Sequence, residues 1–276
     1  MIIVRANLGL ANRMRVINSC LVLSKKLNTN IRLIWERKPE LNCGFDDLFY
    51  PLENTEVCLE DKRMSYFSTY MPDHSPTVTG RIKKIRHKIR KIGHTYFNDG
   101  MVQEKRFDDG FWLSLKGNIY IDSCHDFLSF TKENNSYQSF KPRESLQDKI
   151  DTITSSFKGK EVGIHIRRTD NLPAIERSKT ITFIERMENI LKDEPACIFY
   201  LSTDDPETER NIRRQFGNHI ISYQDKNLDR NSKEGICDAV VDLYALSNTQ
   251  YIIGSWNSSF SIIASFIKDI PRYIIE

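Results

Sequence analysis

Much that would assign this chain a class at sight is missing. Nowhere do about 20 apolar residues follow one another, so no transmembrane helix is expected. The opening, Met1-Ile2-Ile3-Val4-Arg5-Ala6-Asn7, has no basic region leading into a long apolar stretch, so an export signal is not expected either. Six scattered cysteines, Cys20, Cys43, Cys58, Cys124, Cys197 and Cys237, form no CxxC pair and have no His cluster at zinc spacing. They read as reduced thiols, and the expected location is the cytoplasm. The C-terminal half has no GxGxxG, which argues against a dinucleotide, and the P-loop pattern GxxxxGKS/T is absent. Forty basic and 37 acidic side chains leave a formal charge of +3, too little to imply nucleic acid unless the charge is concentrated.

What remains is an ordinary globular composition, 39% hydrophobic and 28% charged, in 276 residues, long enough for two domains. Residues 2–5 read as a strand, followed by a turn through Gly9, a helix over 12–27 and a second strand over 31–35. This βαβ opening predicts a parallel sheet. Between 40 and 145 the pattern is interrupted by Pro51, Pro72, Pro76, Gly80 and Gly100, so loops, short helices and a short strand at 118–122 are expected. Beyond Pro142 the alternation is regular: helix 146–157, strand 161–166, helix 181–191, strand 197–201, a helix after Pro206, strand 219–222, helix 234–246, strand 251–253 and a helix after Ser258. The expected division is 1–145 and 146–276, the second a doubly wound α/β domain.

In such sheets ligands lie beyond the carboxyl ends of the strands. Those places carry His165-Ile166-Arg167-Arg168-Thr169-Asp170, Ser202-Thr203-Asp204-Asp205, Arg230-Asn231-Ser232 and Gly254-Ser255-Trp256-Asn257-Ser258-Ser259. Guanidinium groups donate charge-assisted pairs of hydrogen bonds to phosphate oxygens, so Arg167 and Arg168 suit a diphosphate. A helix beginning near Ser258 adds amide donors. Plainer readings exist for each residue: an Arg–Asp170 salt bridge, a core histidine at His165, a solvated Asp242, and helix caps at Asp205, Ser258, Asn12 and Arg13.

His165 to Asp170 resembles the HxRRxD motif of the fucosyltransferase superfamily that includes the alpha-1,6-fucosyltransferases, the nodulation fucosyltransferases and the protein O-fucosyltransferases. Thr203-Asp204-Asp205-Pro206, Arg230-Asn231-Ser232 with Gly235, Asp238 to Leu243 with Leu246-Ser247, and Ser258-Ser259-Phe260-Ser261 with Ala264 follow in the family's order. Gly9-Leu10-Ala11-Asn12-Arg13 is similar to its GLxNR opening. The resemblance implies a GT-B-like α/β fold, two Rossmann-like domains facing across a cleft, and inverting, metal-independent transfer from GDP-fucose, the donor substrate, with no cofactor. It implies that Arg167 holds the β-phosphate with Arg168 in support, and that His165 and Asp242 contact guanine. Asp204 and Asp205 would order the ribose and arginine shell, with Arg230 and Ser232 also on the donor side. Ser258 and Ser259 would meet the diphosphate, and Asn12 and Arg13 would serve the acceptor side or cleft. The alpha-1,6 enzymes place a Lys directly after the motif's Asp and an acidic residue five positions beyond that Asp. Here those positions are Asn171 and Ile175, with Glu176 next. Glu176 is therefore the candidate base, with Asp170 orienting the arginines.

The expected partners are a GDP-sugar and a glycan acceptor, a lipid-linked one being left open. Another nucleotide-sugar donor, or a protein that binds GDP-sugar without transferring it, are the alternatives. Residues 81–91 do concentrate charge, with seven basic side chains and His87, while Ile82, Ile85, Ile89 and Ile92 fall at helical spacing. That segment would suit an anionic membrane, as a peripheral contact at its inner face, or nucleic acid. With no nucleic-acid-binding motif beside it, a nucleic-acid partner is not expected.

Overall fold

Strand β1 (Ile2–Ala6) lies at the centre of its sheet and is buried along nearly all its length, as an uninterrupted apolar run in a parallel sheet should be. The computed structural model describes residues 1–69 and 78–276, so Pro72 and Pro76 lie outside the described residues. Helix α1 (Leu10–Leu27) starts without a side-chain cap at Gly9, and Asn28, with φ at +46°, closes it in the left-handed conformation. Next come β2 (Ile31–Ile34), α2 (Phe45–Leu48), β3 (Thr55–Cys58), α3 (Lys62–Thr69), α4 (Val78–Lys91), β4 (His94–Asn98), α5 (Asp99–Glu104), α6 (Asp109–Ser114) and β5 (Asn118–Ser123). All pairings in this sheet are parallel, in the order β3-β2-β1-β5-β4. Two strands, β3 and β4, were not visible in the sequence. Both are edge strands with mostly half-buried residues, so no apolar alternation marks them.

The second unit contains α7 (Glu144–Thr154), β6 (Val162–Ile166), α8 (Leu172–Arg177), α9 (Thr180–Asp193), β7 (Phe199–Thr203), α10 (Pro206–Phe216), β8 (Ile220–Ile221), α11 (Lys233–Ser247), β9 (Tyr251–Ser255), α12 (Ser259–Lys268) and β10 (Arg272–Ile275). Its parallel strands run β10-β9-β6-β7-β8, the Rossmann order. The period of two along β6 divides its side chains. Val162, Ile164 and Ile166 join Phe183, Met187, Phe199 and Leu201 in one core, each such burial contributing about 1.5–3 kcal/mol. Gly163 and His165 point to the other face. A Cβ on Gly163 would lie 2.7 Å from Thr249 Oγ1 and 2.8 Å from Leu246 Cδ1, and one on Gly254 would lie 2.7 Å from Ser261 Oγ. Glycine thus lets two helical segments approach the central strands closely.

The division between the units differs from the expected one. The first comprises residues 1–38 and 51–139, the second 39–50 and 140–276. Within the second, the rings of Phe49 and Phe140 meet at 5.5 Å, the Tyr50 amide donates to the Lys141 carbonyl at 2.9 Å, and Lys233 pairs with Asp47 at 2.7 Å. These bonds join distant parts of the chain and leave no local pattern.

Candidate nucleotide-sugar site

In the second sheet all strands are parallel and the order of connection reverses between β6 and β9, the place where ligands bind in sheets of this kind. The first turn beyond β6 is tied on both sides. The Arg167 amide donates to Ser255 Oγ at 3.0 Å, while the Arg168 amide and the Thr169 hydroxyl donate to Asp204 at 2.7 and 2.6 Å. Backbone and side chains together therefore fix where the guanidinium of Arg167 stands. It contacts Asp204 at 2.9 Å and Asp170, and its side chain keeps 18% exposure. Arg230 reaches the other oxygen of Asp170 at 2.8 Å. Burial opposes ionisation of Asp170, but the two arginines prevail and hold its carboxyl below the ordinary range. Two partly exposed guanidinium groups thus converge on one carboxylate, a cationic pair whose counter-charge an anionic ligand could replace.

Arg168 is differently placed. Its guanidinium donates to Thr180 Oγ1 at 2.9 Å, the Arg167 carbonyl at 2.7 Å and the Ser178 carbonyl at 2.6 Å. It clamps the α8–α9 junction to the turn, and supports Arg167 rather than reaching a ligand itself. The Ser178 hydroxyl accepts from the Trp256 amide at 2.7 Å and donates to the Ile275 carbonyl at 2.6 Å, knitting the segments after β6 and β9 to β10. Ser178 and Thr180 had no sequence signal, because their partners lie far along the chain.

Ser258 is buried ahead of α12 and its side chain does not cap the helix, while Ser259 begins it half-buried. The first-turn amides of this ten-residue helix therefore lack a side-chain cap beside the arginine turn. His165 is buried and stacked on Phe260 with ring centroids 5.1 Å apart. Burial pushes its imidazole down to about 4, so it is neutral at physiological pH, and Nδ1 has no hydrogen-bond partner among the described residues. Asp242 accepts from Tyr200 at 2.6 Å, Ser202 at 2.8 Å and the buried Lys226 at 3.1 Å. One turn earlier, Asp238 accepts from Tyr223 at 2.7 Å and the Asn227 amide at 2.9 Å. These two α11 carboxylates pin the segment leading to Arg230. Lys226 was missed, since a lone lysine in a loop carries no pattern.

Other candidate residues make structural contacts close to their own segments. Asp205 caps α10, accepting from the Glu207 amide at 3.4 Å and from the Thr208 amide and hydroxyl at 2.9 and 2.6 Å. Ser232 caps α11, accepting from the Gly235 amide at 3.0 Å. Glu176 is exposed on α8 and joins no ion pair among the described residues. In the first unit, Asn12 is half-buried, and neither it nor Arg13 caps α1. Arg13 is fully buried: it donates to the carbonyls of Leu8 and Glu36, both at 2.7 Å, and lies 4.7 Å from the centre of the Trp35 ring. It joins the segments after β1 and β2.

A second polar cluster sits at the carboxyl ends of β4 and β5. Asp99 accepts from Ser123 Oγ at 2.6 Å and the Cys124 amide at 3.1 Å, and lies 2.9 Å from His125 Nδ1. Burial opposes its ionisation, yet the bonds from Ser123, His125, the Cys124 amide and Gln103 hold it far below the ordinary range. An ionised carboxylate only accepts, so Nδ1 carries a proton toward Asp99. Only the position of His125 just past a strand hinted at this pair.

No protein-family model matches the chain, and no curated protein matches it in sequence. Solved structures do match. The NodZ alpha-1,6-fucosyltransferase, a Bradyrhizobium protein whose crystal was soaked with GDP-fucose, gives a TM-score of 0.64 at 17% identity, covering 96% of this chain and 92% of that one. Arabidopsis thaliana FUT1 in complex with GDP gives 0.64 at 14% identity, covering 99% and 69%. POFUT1 in complex with GDP gives 0.56 at 13% identity, covering 99% and 98%. Across nearly its whole length, this chain has the two-Rossmann architecture of GT-B fucosyltransferases.

Proposed function

We propose that this protein is an inverting glycosyltransferase that moves fucose from GDP-fucose to a glycan hydroxyl without a metal ion. The observation that carries this reading is Arg167, fixed by Ser255 and Asp204 at the switch point of a Rossmann sheet, next to an α12 N-terminus that no side chain caps. The acceptor oxygen attacks the anomeric carbon opposite the diphosphate, a base takes its proton, and the bond to the β-phosphate oxygen breaks. Charge gathers on that oxygen, where Arg167, Arg230 and the helix amides neutralise it. The metal-free reading is supported by Asp204 and Asp205, whose oxygens already accept from the turn and the helix cap. Activity should therefore survive EDTA, and complete loss restored by magnesium or manganese would overturn this part.

Asp242 and neutral His165 are assigned to the guanine side and Ser258 and Ser259 to the diphosphate. The base is assigned to Glu176, exposed just beyond the arginine turn. Glu176→Gln should leave GDP binding intact and lower turnover about 10²–10⁴-fold. Near-parental turnover in that variant, with loss in Asp170→Asn at unchanged donor affinity, transfers the role to Asp170. The scattered cysteines form no CxxC pair, and we assign the protein to the cytoplasm.

Thermal shifts with GDP, UDP, CDP and their sugars test the donor, since a ligand at 100 times its Kd stabilises by about 2.7 kcal/mol. Preference for UDP would overturn GDP-fucose as donor. Binding of GDP-fucose without GDP release on any glycan acceptor, lipid-linked ones included, would leave a non-catalytic binder.

A further inference from the structure

Helix α4 reverses the usual logic of an amphipathic helix, which buries its apolar stripe against its own domain. At about 100° per residue, Ile82, Ile85 and Ile89 fall within an arc of roughly 60°, Ile92 follows in the turn just past the helix, and His87 points nearly opposite to the centre of the arc. It is His87 that faces the domain, 5.9 Å from the Tyr66 ring and 6.4 Å from the Phe67 ring by centroid, with Arg90 4.3 Å from the centre of Tyr66. The four isoleucines are 45, 57, 61 and 73% exposed. Arg81 and Lys88 flank the stripe on one side and Arg86 on the other, and no acidic residue occurs between Val78 and Asn98.

We propose that α4 is a membrane-docking element, which lays its isoleucine face into the acyl boundary of an anionic lipid surface while the flanking cations meet the headgroups. Charge complementarity selects this occupant. Nucleic acid would engage the cations but give the isoleucines no apolar environment, and a second copy of the helix would set seven cations against seven. A lipid surface carrying negative headgroups satisfies both faces at once. The helix is far too short and polar to cross the bilayer, and no described helix is long and apolar enough to do so. Docking of this kind would hold the protein where lipid-linked acceptors are found.

Co-sedimentation of the full chain with vesicles tests the proposal. Vesicles of equimolar phosphatidylcholine and phosphatidylglycerol should retain the protein, whereas pure phosphatidylcholine should not. Both Ile85→Asp/Ile89→Asp and Arg86→Glu/Lys88→Glu should weaken retention at least about tenfold, because apolar insertion and charge act together. The altered residues face solvent, so the melting temperature and its shift by GDP should be unchanged in both variants. Should one variant fold poorly, the other still decides. Absence of binding to anionic vesicles, or binding insensitive to the isoleucine exchange, would overturn the proposal. So would tight binding of duplex DNA or RNA that persists in Ile85→Asp/Ile89→Asp while vesicles are ignored, or a dimer abolished by that exchange.

Discussion

Both units are five-stranded parallel sheets, and each has an arginine near the carboxyl end of its first strand, yet the two arginines do opposite work. Arg13 is wholly buried, and its guanidinium donates to two backbone carbonyls, which nothing else replaces without leaving those carbonyls unpaired. Arg167 is held by two carboxylates and stays partly exposed, so an anionic ligand could exchange with them as counter-charge. Strand order adds to the difference. The second sheet has the Rossmann order and a switch point between β6 and β9, whereas in the first the last two strands are exchanged, β5 lying beside β1. The same residue type near a strand end is therefore scaffold or site according to what surrounds its charge.

That contrast can be broken most directly at Arg167. Arg167→Ala should lower transfer by roughly 10²–10³ with an unchanged melting temperature, and Arg167→Lys should not restore it fully, because an ammonium lacks the planar pair of donors. Turnover within threefold of the parent would place the diphosphate elsewhere.

The next largest effect concerns pH and the second unit. Folded His165 titrates near 4, mainly because it is buried, against an ordinary value of about 6.5. Between those values the unfolded chain binds a proton that the folded chain refuses. Stability from this group is complete above about pH 6.5 and falls as pH drops toward 4, by on the order of 3 kcal/mol. Urea melts at pH 7 and 4.5 measure this, and His165→Gln should flatten the difference. An unchanged pH dependence would show that His165 is not the group responsible.

Arg13→Leu should act in the opposite sense to Arg167→Ala, costing about 2–3 kcal/mol of stability by orphaning the carbonyls of Leu8 and Glu36. Turnover per folded molecule should stay near the parental value at temperatures below the melt. Loss of turnover with no loss of stability would return Arg13 to the site. The smallest expected effect is at the Asp205 cap, where Asp205→Ala should destabilise by about 1 kcal/mol without altering GDP affinity. A clear rise in the Kd for GDP would make Asp205 a ligand after all.

The sequence by itself determined most of the alternation of the second unit, α8 and the edge strand β10 excepted, because apolar strands and amphipathic helices impose periods of two and 3.6 whatever they later pack against. It also determined which strand ends are polar, and hence that Arg167, Asp170, Asp204 and Ser258 belong to one edge. Only the tertiary structure decided which of these polar groups are free to serve a ligand. Asp205 and Ser232 accept from helix amides three residues on, and Arg168 donates into the α8–α9 junction. The same holds for α4, whose isoleucine period is plain in the chain but whose outward direction depends on His87 and Arg90 seating against Tyr66 and Phe67. Periodicity is a property of neighbours along the chain, whereas the availability of a charge or an apolar face depends on partners brought together by folding, and those partners leave no trace in local sequence.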